Sequence, residues 1–391
     1  MAEPATTLSK TFQAFFRSER SSAVVLIACT VLAMLIANSP AGAGVHAFWE
    51  TQLAGLSLVM WVNDALMAVF FLLVGLELER ELINGELADR RTALLPIVAA
   101  FGGVVVPAGI HMMLNAGTPT GAGAGIPMAT DIAFALGVLA LLGSRVPASL
   151  KIFLSALAVI DDLAAMIVIA LGYATGLSPH WLGAAIVLWL ALFALNRRGR
   201  VHALWPYLLG GAAMWFCMLR SGVHPTLAGV ALAFTIPFST RAEDEASPSH
   251  RLENALHLPV AFVVLPLFAL ANTGIALGAH WREGLVEHNS LGIFFGLVLG
   301  KPIGIVLACA IAVALGICRL PGELRWPHLL GAGMLGGIGF TMSIFIANLA
   351  FPGNHALIDE SKTVVLLASL CSGVLGYLVL WFAGWRKEKA A

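Results

Sequence analysis

Asp161 and Asp162 stand side by side in the run Ile152–Leu171, IFLSALAVIDDLAAMIVIAL, which is otherwise almost wholly apolar. At 1.5 Å per residue, 20 residues span the ~30 Å of a bilayer hydrocarbon core. The two carboxyls fall at its tenth and eleventh positions, at mid-membrane depth. Each charge there costs roughly 2.5–3.5 kcal/mol on insertion scales. A pair at one depth points to cation binding, proton carriage, or both. A carboxylate can hold either a cation or a proton, so one group suffices for an exchange. A carboxylate at its ordinary value of about 3.9 carries no proton at cellular pH, so the chemistry needs a site that makes it titrate near neutrality.

Few other ionisable groups lie at depth in apolar runs: Asp64 near one end of a span, Asp131, and Lys301. Lys301 is a natural counter-ion for one carboxylate. Adjacent helix residues point about 100° apart, so one of Asp161 and Asp162 can pair with it while the other faces a water-filled cavity. The plainer readings are that the pair ties helices together and that Asp131 makes a packing hydrogen bond. One carboxylate would have sufficed for the first.

The elements that must position these residues are membrane helices. Of 391 residues 59% are hydrophobic and 11% charged, against about 25% charged in soluble domains. The 22 basic and 22 acidic residues cancel, there is no basic tract, and nothing suggests a nucleic-acid partner. The five cysteines form no CxxC or metal-ligand spacing and read as small helix residues. Polar stretches at 1–22, around Arg241–Arg251 and at 386–391 are too short to fold alone. Residues 1–391 therefore read as a single membrane domain with a polar N-terminal segment (1–22) and tail (386–391), and no soluble protein partner is implied.

Twelve apolar spans are expected, near 23–38, 57–78, 93–114, 121–143, 152–172, 181–196, 204–219, 222–238, 255–278, 290–317, 328–350 and 363–385. The first resembles a signal peptide, with small residues at Ala41–Ala43, but the charge pattern closes with it retained. Eighteen of the 22 Lys and Arg fall in one set of loops and ends, three (Arg220, Arg282, Lys362) in the other, and Lys301 lies inside a span. Both termini are thus expected in the cytoplasm.

Two spans carry breaks. Pro127 and the Thr130–Asp131 step interrupt GIPMATDIAFALG, and five glycines interrupt Gly331–Gly339. Broken backbone at membrane depth is tolerated where it lines a cavity or is buried in protein. For the second span, close helix packing through glycine is the competing reading. Spans three to five and ten to twelve then form two three-helix units of opposite topology, each with its middle member interrupted. Such pairs mark the binding site of a secondary transporter.

With these features the chain resembles the bacterial NhaA-type Na+/H+ antiporter family. The resemblance rests on VNDALMAVFFLLVGLELEREL (Val62–Leu82), ATDIAFALGVLALLGSRVP (Ala129–Pro147), KIFLSALAVIDDLAAM (Lys151–Met166), SGVHPTLAGV (Ser221–Val230), LPLFALANTGI (Leu265–Ile275), GKPIG (Gly300–Gly304) and GGIGFTMSIFIANLAF (Gly336–Phe351). The rule of paired interruptions was drawn in part from this same family, so the two are one line of support. The resemblance implies an all-α polytopic fold of twelve transmembrane helices with two inverted three-helix repeats and crossing, interrupted spans four and eleven. It implies a bacterial inner-membrane protein exchanging Na+, or Li+, outward for a larger number of protons, with no cofactor beyond the transported ions. It makes Asp162 the principal ion and proton carboxylate and Asp161 its neighbour, so these two would hold the transported sodium. Lys301 pairs with Asp161 and offsets helix-end dipoles, and Thr130 and Asp131 lie at the crossing and share in binding the ion or proton. Glu77, Arg80 and Glu81 line a cytoplasmic funnel, while Glu253 and His224 bear on the pH response. A β-hairpin in the 44–60 stretch makes a homodimer interface. One departure is Asn254, which stands where the best-known members carry a second ionisable group. It puts the seat of the pH response in question and leaves the transport site untouched.

Two other classes are weaker. An intramembrane aspartyl protease would place its acids on separate facing helices, each with its own motif. A channel would show rings of filter ligands without a lysine at the site, and a symporter would need a solute pocket.

Overall fold

The computed structural model describes residues 10–388 apart from residues 86, 89, 175, 200, 240–246 and 279–280. In chain order the α-helices of seven residues or more are α1 (Lys10–Ala37), α2 (Gly42–Trp49), α3 (Leu58–Ile83), α4 (Arg90–Asn115), α5 (Ile132–Leu141), α6 (Ala148–Gly172), α7 (Pro179–Arg198), α8 (Trp205–Ser221), α9 (Leu227–Ala233), α10 (Pro248–Asn272), α11 (His288–Ala314), α12 (Trp326–Gly336), α13 (Phe340–Ala350) and α14 (His355–Glu388). Among the described residues the strands form one antiparallel hairpin, β1 (Gln52–Leu53) with β2 (Leu56–Ser57), between α2 and α3. Seven helices are long and apolar enough to cross a membrane, or up to ten if each of three bent pairs is one span. Side chains such as Met113 (85% exposed) and Leu171 (82%) point out of the bundle, while Lys301 is fully enclosed. This inside-out distribution is that of a multi-pass membrane protein.

Three expectations change in detail. The helix over the first span reaches back to Lys10, so much of the polar 1–22 stretch is helical; residues 1–9 lie outside the described residues. Likewise α14 continues to Glu388, and 389–391 lie outside. The expected span over 222–238 holds only the seven-residue α9. Gly222 takes a left-handed φ of +83° and ends α8, and Pro225 and Pro237 bracket the short helix that comes next. That helix packs backbone to backbone on α3: a Cβ at Gly229 would lie 2.1 Å from the Ala68 carbonyl oxygen.

A second close approach positions Lys301. Gly102 on α4 faces Gly304 on α11, each so near that an added Cβ would meet the other's carbonyl oxygen at 2.2 Å. Before Lys301 the helix loosens into a π-helical turn, Gly296–Gly300. Pro302 lacks a backbone donor, which disturbs the hydrogen-bond ladder there.

The two expected breaks are present. A 3-10 segment, Pro119–Met128, meets α5 at 42°, and α12 meets α13 at 46°. Proline and glycine supply both: Pro127 in the first, and Gly336, Gly337 and Gly339 in the second.

Candidate functional site

The breaks meet. Asp131 N donates to the Ile338 carbonyl at 2.6 Å, and Ser343 Oγ donates to the Ile126 carbonyl at 2.6 Å. The first joins the backbone of the two breaks, and the second ties the 3-10 segment to the start of α13.

Asp131 is the N-cap of α5, with extended backbone (φ −87°, ψ 102°). Its Oδ1 accepts from Phe134 N at 3.1 Å. Its Oδ2 accepts from Thr341 N at 3.0 Å and from Thr341 Oγ1 at 2.5 Å. Thr341 is in the first turn of α13, so one carboxylate caps the positive ends of two helices.

Thr130 sits at the opposite kind of end. Its Oγ1 is 2.8 Å from the Gly336 carbonyl, where α12 terminates, and 2.6 Å from Asp161 Oδ2. Two acceptors compete for one hydroxyl proton. Asp161 Oδ2 also accepts from Lys301 Nζ at 2.5 Å, and both side chains are fully buried. Asp161 therefore joins α6, α11 and the first break in one charge-paired knot.

Asp162, one position on, has none of this. No described residue donates to its side chain, and its Oδ1 is buried without a partner. It lines a cavity of about 60 Å³ whose walls include Phe70, Val74 and Glu77 of α3, His257 and Val260 of α10, and Asp131 and Thr341 at the crossing. A space of this size holds several waters or a partly hydrated small cation. Among the described residues no group of three His, Cys, Asp or Glu is arranged as a fixed metal centre.

The expected funnel residues divide in two. Glu77 faces the same cavity as Asp162. Arg80, a turn further on, forms ion pairs with Glu253 of α10 at 3.0 Å and with Glu81 at 3.4 Å. His224 is elsewhere. Its Nε2 is 3.6 Å from Asp64 Oδ1, its Nδ1 is 2.7 Å from Thr226 Oγ1, and its ring meets Phe345 edge-on at 5.2 Å. Asn254 is exposed beside Glu253, and residues 240–246 lie outside the described residues.

Sequence reading missed several contributors. Thr341 supplies two of the three donors to Asp131, yet a threonine in an apolar helix carries no signal until its partner is known. The Gly336 carbonyl is backbone and invisible to a search of side-chain types. Asn63 and Asn348 both bond to Asn272, and as neutral amides none of the three stands out in an apolar run as a charge does.

Known proteins share this chain's sequence over nearly its whole length. The family described as Na+/H+ antiporter 1 matches residues 13–380. A protein of Dechloromonas aromatica named Na(+)/H(+) antiporter NhaA is 63% identical over 382 residues, covering 98% of each chain. Na(+)/H(+) antiporter NhaA 1 of Flavobacterium johnsoniae is 55% identical over 373 residues, covering 95% of this chain and 97% of its own. Na(+)/H(+) antiporter NhaA 2 of Pseudomonas syringae pv. syringae is 51% identical over 367 residues, with 94% and 93% covered. With such a match and relatives that are transporters, the chain belongs to the Na+/H+ antiporter 1 family of multi-pass bacterial membrane proteins.

Proposed function

We propose that this chain is an electrogenic secondary transporter of the bacterial inner membrane that expels Na+, or Li+, in return for a larger number of protons. One observation carries the reading: Asp162 lines the cavity without a donor, next to Asp161, whose Oδ2 is held by Lys301 and Thr130. A carboxylate in that position is free to take a cation or a proton. Occupancy is mutually exclusive because both ligands use the same oxygens. Asp161 and Lys301 balance charge beside it, and Thr130 lies between Asp161 and the end of α12, ready to offer its oxygen to a passing cation. Asp131 holds the crossing together and lends negative potential to the cavity.

We read the fold as one domain of twelve spans, counting α8 and the region of α9 as two short ones, with inverted repeats over spans three to five and ten to twelve. Loop charges support both termini in the cytoplasm. Glu77 and His257, on the cytoplasmic side of Asp162 in this orientation, line its cavity, which supports reading this as the inward-facing state of an alternating-access cycle. Arg80, Glu81 and Glu253 lie on the same approach and, with Glu77, we assign them to the pH response; His224 would act from the far side. The hairpin between α2 and α3 is the surface we assign to a homodimer, and the bilayer is the other partner.

The test is a sodium pulse applied to proteoliposomes that enclose a pH dye. Protons moving against sodium, without added solute and with a rate that responds to membrane potential, are expected. Sodium entry without proton movement would contradict the reading.

A further inference from the structure

Three uncharged amides on three helices meet on the hairpin side of the molecule. Asn272, the last residue of α10, donates from Nδ2 to Asn63 Oδ1 of α3 at 2.7 Å. Its Oδ1 accepts from Asn348 Nδ2 of α13 at 2.8 Å and from Asn63 Nδ2 at 3.3 Å. Asn63 lies in a π-helical stretch of α3, Trp61–Leu66, two turns from the hairpin.

Beneath the amides lies a layer of rings. Phe345 is one turn before Asn348, and Phe268 is one turn before Asn272. The Phe345 ring is 5.6 Å from that of Phe71 and 6.4 Å from that of Phe268, and all three are buried. One turn further down α13 stands Thr341, which holds Asp131. The cavity at Asp162 is on the other side of this stack, walled by Val74 and Glu77 of α3 and by His257 and Val260 of α10. Asp162 is thus approached from the Glu77 end, and the hairpin end is shut by two layers.

The layers differ in kind. Rings exclude water but slide past one another at little cost. An amide removed from its partner in an apolar bundle loses a directional bond, so the amide layer fixes the spacing of α3, α10 and α13. Those same helices wall the cavity, and any route from the hairpin side to Asp162 must part them.

We propose that Asn63, Asn272 and Asn348 are positioning residues that latch the hairpin-side route to Asp162 shut, and that release of this latch sets how often the site faces that side. The proposal rests on the exchange reading above. A variant with a weakened latch populates the outward-facing state more, and the apparent KM on a given face varies inversely with the fraction of carriers facing it.

The experiment compares KM for Na+ on the two faces, using right-side-out and everted membrane vesicles that carry the full-length protein. Asn348→Ala removes one bond of the cluster. Buried interhelical bonds in membranes average about 0.6 kcal/mol, or roughly threefold. KM on the hairpin face is therefore expected to fall roughly threefold, while KM on the other face holds or rises. Asn63→Ala, on another helix, should give the same one-sided shift. Combining Asn272→Ala with Asn348→Ala should add nothing to Asn272→Ala alone. A hairpin-face KM that stays at its wild-type value in Asn348→Ala and Asn63→Ala, or a shift of the same size and sign on both faces, whatever their maximal rates, would overturn the latch. Absence of exchange in the wild type would instead overturn the reading on which it rests.

Discussion

Asp161 and Asp162 are adjacent in sequence and opposite in surroundings: Asp161 Oδ2 accepts from Lys301 and Thr130, whereas no described donor reaches Asp162. The helical step of 100° produces this divergence. One side chain turns to α11 and the first break, the other to the cavity between α3 and α10. A structural carboxylate and a free one are thus made from two identical residues.

Removing Lys301 should leave Asp161 as an uncompensated buried charge. Lys301→Ala is expected to destabilise the protein by about 3–5 kcal/mol, the range for breaking a buried pair from one side. Melting in detergent measures it. Adding Asp161→Asn to Lys301→Ala should recover much of that loss, and melting that is additive in the two variants would show that they are not partners.

Asp131 is held by three donors, and its removal should loosen two helix starts together. Asp131→Ala is expected to cost more in thermal stability than Thr341→Val, which removes one side-chain bond to a charge, about 1.5–3 kcal/mol. Asp131→Asn keeps an acceptor oxygen for the caps and should retain measurable exchange. Exchange abolished in Asp131→Asn, with melting unchanged, would make Asp131 a transport ligand in its own right.

Much of this was legible in the sequence because charge in an apolar run is expensive. Asp131, Asp161, Asp162 and Lys301 could be picked out on that ground, and the structure brings them to one crossing. The breaks were legible because proline and glycine mark them. What stayed hidden depends on neutral or backbone groups, whose cost in an apolar run is small: Thr341 on Asp131, the Gly336 carbonyl at Thr130, and the asparagine cluster. The seven-residue α9 was hidden for a different reason. Hydropathy over 222–238 reports an apolar stretch and not how much of it is helical. The division of Arg80 and Glu253 from His224 was also invisible, since residues far apart in sequence share a site only through the fold.

The Arg80–Glu253 pair should contribute little to stability. The Arg80 side chain is 39% exposed and that of Glu253 14%, so the pair is part-buried and should fall near the top of the range of about 0–1 kcal/mol found for exposed pairs. Arg80→Ala is therefore expected to change melting only slightly and to move the pH profile of exchange. An unchanged profile would detach this cluster from the pH response.

Direct competition at the carboxylates fixes the sign of the pH dependence. As pH falls protons occupy the site and exclude sodium, so exchange slows; as pH rises protons leave and the cation site opens. The apparent KM for sodium should fall roughly tenfold per pH unit while one proton competes. At low pH, saturating sodium should restore the full rate. A maximal rate that stays depressed at saturating sodium would require a separate switch, and a KM constant with pH would rule out competition.

Asp162→Asn tests the central claim most directly. The substitution keeps shape and buried volume and removes the ionisable group. Inserted, folded protein of near wild-type melting temperature should show no sodium-driven proton movement in proteoliposomes at any pH. Proton movement near the wild-type rate in that variant would contradict the account.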